Sequence, residues 1–162
     1  MKSAIGGVSL FQIVIIFVLL FTGFICLSIN QSKAYNVKDQ IIKAIERENG
    51  IDLTKDITSG NNKVMETIID YLSEVSFRTT GTCPSDDENL MYVGFNREGR
   101  IDSKNPVFCI AEINFSRGIT QESSELPSMS YYKVVVFFQL DLPVFKSAFG
   151  FKTIGETKTL YS

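Results

Sequence analysis

Cys83 and Cys109 are the residues of this chain best suited to one defined reaction, closure of a disulfide. Two cysteines in a small domain outside the cytoplasm are read most simply as one bridge, two unpaired thiols being the alternative. Closing a loop of ~25 residues stabilises a fold by about 3–4 kcal/mol in the chain-entropy picture. The third cysteine, Cys26, lies inside an apolar run and reads as a small apolar residue. Phe24-Ile25 precedes it where lipidation asks for small side chains.

Other chemistry is poorly supported. The chain has no His, which removes the commonest general base and the commonest metal ligand. Asp86-Asp87-Glu88 lacks the alternating oxygen-ligand spacing of calcium loops and reads as a solvated loop. The pairs Asp52/Asp56 and Glu122/Glu125 are no stronger. Gly94, Gly99 and Gly118 are isolated, so no glycine-rich phosphate loop follows a strand. A formal charge of −2 gives no basic footprint for nucleic acid. The expectation is a non-enzyme with no catalytic residues, metal, cofactor, nucleic-acid partner or small-molecule substrate.

The elements that must position the two cysteines begin with the stretch 10–29, LFQIVIIFVLLFTGFICLSI, which carries no formal charge. As a helix rising ~1.5 Å per residue it reaches ~30 Å, the thickness of a bilayer's hydrocarbon core. Backbone groups in lipid must be satisfied internally, so this stretch is expected to be helical. A cleaved secretory signal is the rival, with Ser32-Lys33-Ala34 as its site. The run exceeds the usual apolar core of such signals, and the helical pattern continues past Ala34.

Ala34, Val37, Ile41, Ala44 (or Ile45) and Glu48 form one stripe, and Asp39 and Lys43 are spaced as an ion pair. One helix is therefore expected over about 8–48, closed by Asn49-Gly50 with Gly50 at the left-handed C′ position. After a polar loop, a second amphipathic helix is expected over 63–77, with Val64, Ile68, Tyr71 (or Leu72) and Val75 as its stripe. Strands are expected at 90–96 and 107–115, joined as a hairpin, and at 131–140. The run Val134-Val135-Val136-Phe137-Phe138 is apolar on both faces, as in a central or doubly covered strand. Residues 143–150 space Val144, Phe145, Ala148 and Phe149 like a short helical turn. A final strand at 151–160 suits a sheet edge, and 116–129 reads as a loop.

The expected fold class is α+β: a long N-terminal helix, transmembrane then amphipathic, and a short helix on an antiparallel sheet of three to four strands. The divisions are 1–7 as a leader, 8–29 as a transmembrane helix, 30–49 as its amphipathic extension and 50–162 as an extracytoplasmic domain.

This front end resembles a type IV pilin. Prepilins carry a short leader ending in Gly, then an apolar helix with Glu at the fifth mature position. Here Gly7 would end the leader, Val8 would open the mature chain and Gln12 would stand fifth. The strand-rich end is similar to TadE-like pseudopilins of tight-adherence (Flp, type IVc) pilus systems. The motif part of the resemblance covers about thirty residues. It implies a membrane-anchored minor subunit of a bacterial surface pilus or secretion apparatus. The partners implied are the membrane and, through the N-terminal helix, other pilin-like subunits or envelope proteins.

Gln12 departs from the family pattern. The family's Glu neutralises a neighbouring subunit's α-amino group, which Gln cannot do, and in low dielectric that difference is large. Gln12 also reads as a polar residue bonding a neighbouring helix, and Gly6-Gly7 as an uncut lead-in. The alternative function is a bitopic extracytoplasmic domain that binds an envelope protein without polymerising. Orientation is drawn both ways. Lys33, Lys38, Lys43 and Arg47 follow the run and only the α-amino group and Lys2 precede it. The short leading segment, the cysteine pair and the resemblance favour the N-terminus inside the bacterial cytoplasmic membrane and the domain outside.

Overall fold

In the computed structural model the uncharged run and the stripe after it form one helix, α1 (Lys2–Arg47). The structure describes residues 2–55, 62–85, 90–115, 129–142 and 145–161. Asp86-Asp87-Glu88, Asp56, Glu122 and Glu125, Pro143 and most of the 116–129 loop lie outside these.

The helix continues back through Gly6-Gly7, so the expected start near Val8 does not mark its first turn. At its other end a Schellman closure forms, with the Gly50 amide donating to the Ile45 carbonyl at 2.9 Å. That bond makes Asn49 the C′ residue, at φ 56°, in place of the expected Gly50. The cap position follows from which carbonyl is satisfied, and Asn tolerates the left-handed region nearly as well as Gly.

The second helix, α2 (Lys63–Glu74), begins at Asn62, whose side chain accepts from the Met65 amide. It stops sooner than expected because Ser76 turns left-handed at φ 52°. Phe77 N donates to Leu72 O and Ser76 N to Ser73 O, a second Schellman closure. The C″ residue Phe77 and the C3 residue Leu72 are both buried, the apolar contact this motif favours.

The strands are β1 (Tyr92–Phe95), β2 (Phe108–Phe115), β3 (Met129–Leu142), β4 (Phe145–Glu156) and β5 (Leu160–Tyr161). They form one antiparallel sheet in the order β1-β2-β3-β4, with β5 also pairing β3. The fold is therefore α+β, as the periodicities predict.

Two strand expectations change. Residues 145–150 are not a helical turn but the start of β4, with Leu142 opposite Phe145 and Leu140 opposite Phe149. Four apolar residues at near-helical spacing are a weak local preference. A neighbouring strand that runs to Leu142 supplies a ladder for the backbone polar groups instead. The single strand expected over 151–160 is two pieces, because residues 157–159 leave the ladder between β4 and β5. There Thr157 takes over: its hydroxyl accepts from Tyr132 N at 3.0 Å, and its own amide donates to Tyr132 O.

The main core lies between the helices and one sheet face. From α1 it takes Ala34, Val37, Ile41, Ala44 and Ile45, and from α2 Val64, Met65, Ile68 and Leu72. Opposite them stand Phe95, Phe108, Ile110, Val134, Val136 and Phe138. Both alternatives offered for α1 are realised, since Ala44 and Ile45 are buried together; Glu48 is exposed. On α2, Leu72 is buried, and Tyr71 and Val75 are half-buried at the margin. Asp39 pairs with its neighbour Lys38, Nζ–Oδ1 3.1 Å, rather than with Lys43.

A smaller cluster of Cys109, Val135 and Phe137 fills the opposite sheet face. Strand β3 is thus both central and covered on two sides, which explains its unbroken apolar run.

Candidate functional site

Two places in the fold carry the residues singled out in the sequence. The first is the front half of α1. A free-standing helix that is apolar all round has no core of its own to bury against. From Val8 to Thr22 every residue is exposed, Gln12 among them. None of the most apolar window of this helix is buried. Val8 is 69% exposed and Leu20 71%. By length and composition α1 can cross a membrane once. Gly7 and Val8 are both helical, and Gly7's surroundings lie outside the described residues.

The second place is the disulfide. Cys83 and Cys109 are joined, with Cα atoms 5.8 Å apart and 26 residues of separation. Cys109 alternates out of the main core on β2, so its sulfur emerges on the second sheet face. The bridge ties the segment 78–85, which has no ladder of its own, flat over that face. Close approach demands glycine at two positions. A Cβ on Gly81 would run into the Phe137 ring. One on Gly94 would lie 2.7 Å from the Asp102 carbonyl and 2.9 Å from the Cys83 sulfur. The Gly81 amide also donates to Pro106 O at 2.9 Å, a further tie.

The two places are far apart. Val8 lies about 29 Å along α1 from Leu27, which packs against the main core. The residues singled out therefore make no common centre: one group is an exposed apolar rod, the other a structural staple.

Among the described residues no group of three or more His, Cys, Asp or Glu is placed to hold a metal. A solvent-open depression of about 350 Å³ between the end of α1 and the start of α2 is lined by Asp52, Lys55, Asn62 and Lys63 among others. Two of its charged groups, Asp52 and Lys55, are paired with one another. Lys55 Nζ stands 2.9 Å from Asp52 Oδ2, and the Thr54 hydroxyl and amide both donate to Asp52 Oδ1. Lys55 first, then Thr54, holds the Asp52 carboxyl down at about 2. The same pairing raises the Lys55 ammonium. Asp102 is lowered by the Lys104 and Asn105 amides, which it accepts at 2.8 and 3.1 Å. Burial raises the Tyr132 hydroxyl, which donates to Glu112 Oε1 at 3.3 Å. The shifts of Asp52, Lys55 and Asp102 are explained by local hydrogen bonds, and that of Tyr132 by burial.

The Asp52 pair gives a test. Its folded value lies below the ordinary 3.8, so its favourable contribution is complete above that ordinary value and is lost as pH falls through about 2. The group is exposed, so salt weakens the effect. The side-chain carboxyl resonance of Asp52 is expected to titrate near 2, and Lys55→Ala to move the midpoint up toward 3.8. An unchanged midpoint in that variant contradicts the assignment to Lys55.

Sequence reasoning missed the polar ties that orient α1 on the sheet. Asn30 Nδ2 donates to Gln139 O at 2.9 Å, and Asn49 Nδ2 to Tyr161 O at 2.8 Å. Glu46 Oε1 accepts from the Lys158 amide at 2.8 Å. The one local hint was Asn30 itself, an amide directly after the last apolar residue of the run.

The chain matches no protein-family model, no curated protein and no solved structure.

Proposed function

We propose that this chain is a membrane-anchored, pilin-like minor subunit, of the TadE-like kind, in a bacterial surface pilus or secretion apparatus. One observation carries the reading: a single helix whose front half is bare and apolar all round, and whose rear half is the core element of an α+β domain. A rod of that kind holds a rigid head at a fixed distance from a bilayer and leaves its apolar surface for lipid or for other helices. The chain spans the cytoplasmic membrane once, N-terminus inside and domain outside. The Cys83–Cys109 bridge suits that oxidising side. The domain acts by presenting surface and performs no catalysis. Its partners are other pilin-like subunits or envelope proteins, reached through the N-terminal helix.

Gln12 favours a second reading. Its amide bonds a neighbouring helix but leaves an ammonium uncancelled in low dielectric. A bitopic domain that binds an envelope protein without polymerising needs no carboxylate there.

Mass spectrometry of the mature protein separates the two. A chain starting at Val8 is expected for the pilin-like subunit. An intact Met1 with a stable detergent-solubilised monomer overturns that reading in favour of the second.

A further inference from the structure

We infer that the outer edge of β4 over residues 150–156 is a docking edge for an extended segment of another protein, which joins the sheet with an apolar side chain opposite Gly150 and an acidic one opposite Lys152. This goes beyond the pilin-like reading; only the partner's placement beside the anchor rests on it.

Strand β4 pairs with β3 on one side, and among the described residues no strand pairs its other side. Thr157, one step beyond β4, donates its amide to Tyr132 O at 3.0 Å. Backbone direction alternates along an antiparallel strand, so Thr153 and Gly155 also point at β3. Gly150, Lys152, Ile154 and Glu156 then point their amides and carbonyls outward. The next outward amide, that of Lys158, is taken by Glu46 Oε1 at 2.8 Å, which ends the open stretch. The opposite edge of the sheet is closed. There the Asp102 amide donates to Gly94 O at 2.8 Å and Ile101 bridges to Phe95, so the chain folds back along β1. One edge is blunted and the other left able to accept a strand.

A pocket lies beside the open edge. Gly150, Lys152 and Ile154 stand opposite Gln139, Phe137 and Val135, on the sheet face that carries the disulfide. Between the segment 78–85 and β4, a depression of about 290 Å³ is lined by Thr80, Thr82, Phe137, Gly150 and Lys152 among others. A Cβ placed on Gly150 would meet nothing within 4 Å, so a side chain from an added strand can lean over it. Lys152 is exposed and calls for an acidic neighbour, and Ile154, 47% exposed, for an apolar one. In strand addition the main chain supplies affinity and pockets for alternate side chains supply selectivity.

The occupant is a polypeptide because an extended backbone offers donors and acceptors at the ~7 Å two-residue repeat of this edge. A second copy does not fit. Asn49 donates to Tyr161 O, and Tyr161 pairs with Met129 at the start of β3; Asn30 donates to Gln139 O near its other end. Strand β3, and β4 beside it, therefore run along α1. Antiparallel pairing of two β4 edges would point the second copy's anchor away from the bilayer, and the β1 edge of a second copy is closed. The partner is a different protein, reached just above the membrane, since Gly150 stands opposite the Gln139 that bonds Asn30.

The test uses full-length, isotope-labelled protein in detergent and the capped peptide Thr-Thr-Val-Thr-Glu-Thr-Leu. Laid antiparallel on β4, it sets Leu opposite Gly150, Glu opposite Lys152 and Val opposite Ile154. The amide resonances of Lys152, Ile154 and Glu156 are expected to shift and to gain exchange protection. N-methylation of the peptide's Val and Glu amides, which face β4, is expected to weaken binding by more than about tenfold, the worth of two lost hydrogen bonds. N-methylation of the Thr between them, which faces away, is expected to change it little. Ile154→Pro removes one outward donor without touching the β3 ladder and should weaken binding as well. Lys152→Glu should reverse the preference toward a peptide with Lys in place of Glu. Absence of binding at millimolar peptide, or equal binding after methylation of the β4-facing amides, overturns the inference. Shifts at Lys152 that require phosphatidylglycerol instead of peptide assign the pocket to lipid and overturn it. A dimer that protects the same amides assigns the edge to a second copy and overturns it too. Binding is read in detergent, so a chain that binds the peptide but fails to insert in vesicles sinks the anchor reading and leaves this inference standing.

Discussion

Reduction of the Cys83–Cys109 bridge is expected to destabilise the domain by about 3.5 kcal/mol, the chain-entropy figure for a closed loop of this length. The separation of 26 residues sets that scale. For a domain of this size the melting midpoint should fall by roughly 10–20 °C. The direction has a structural cause beyond entropy. The segment 78–85 passes over Phe137 at Gly81, and among the described residues the bridge and the Gly81–Pro106 backbone bond tie it there. Thermal unfolding of the detergent-solubilised protein, with and without reductant, measures the difference. A Cys83→Ala/Cys109→Ala double variant should start at the low midpoint and ignore reductant. Reduction that leaves the wild-type midpoint unchanged would show the strap to be held by packing alone.

Removal of residues 1–29 should leave a folded, detergent-independent domain, whereas removal of residues 1–49 should abolish folding. The second cut takes away Val37, Ile41 and Ile45, all at or below 1% exposure, together with Ala34 and Ala44. Burying each large side chain contributes about 1.5–3 kcal/mol, so the three together contribute roughly 5–9 kcal/mol. That is comparable to the whole stability of an ordinary domain, about 5–15 kcal/mol. The shorter cut keeps these residues and the Asn30–Gln139 bond. Amide dispersion in NMR spectra and elution on size exclusion distinguish the outcomes. A cooperative fold from a chain starting at Gly50 would mean that the rear half of α1 only rests on the domain.

These expectations draw unequally on the two levels of description. Helices α1 and α2 were legible because their information is local: an uncharged run long enough for a bilayer, then stripes at a period of 3.6. The double-sided apolar run of β3 likewise announced a strand covered on both faces. Cysteine arithmetic proposed the bridge, since the domain holds only that pair. What covers what was not legible. Nothing in residues 78–85 says that they lie over Phe137.

What the sequence by itself determined is the list of elements, the α+β class and the bare apolar rod at the front, because each follows from residue spacing along a single segment. Tertiary structure alone decided the rest: Asn49 rather than Gly50 at the cap, β4 in place of a helical turn after Pro143, and the strap on the second sheet face. These are outcomes of pairing between distant segments, where an unsatisfied backbone group or an uncovered ring in one place is resolved by residues far away in the chain.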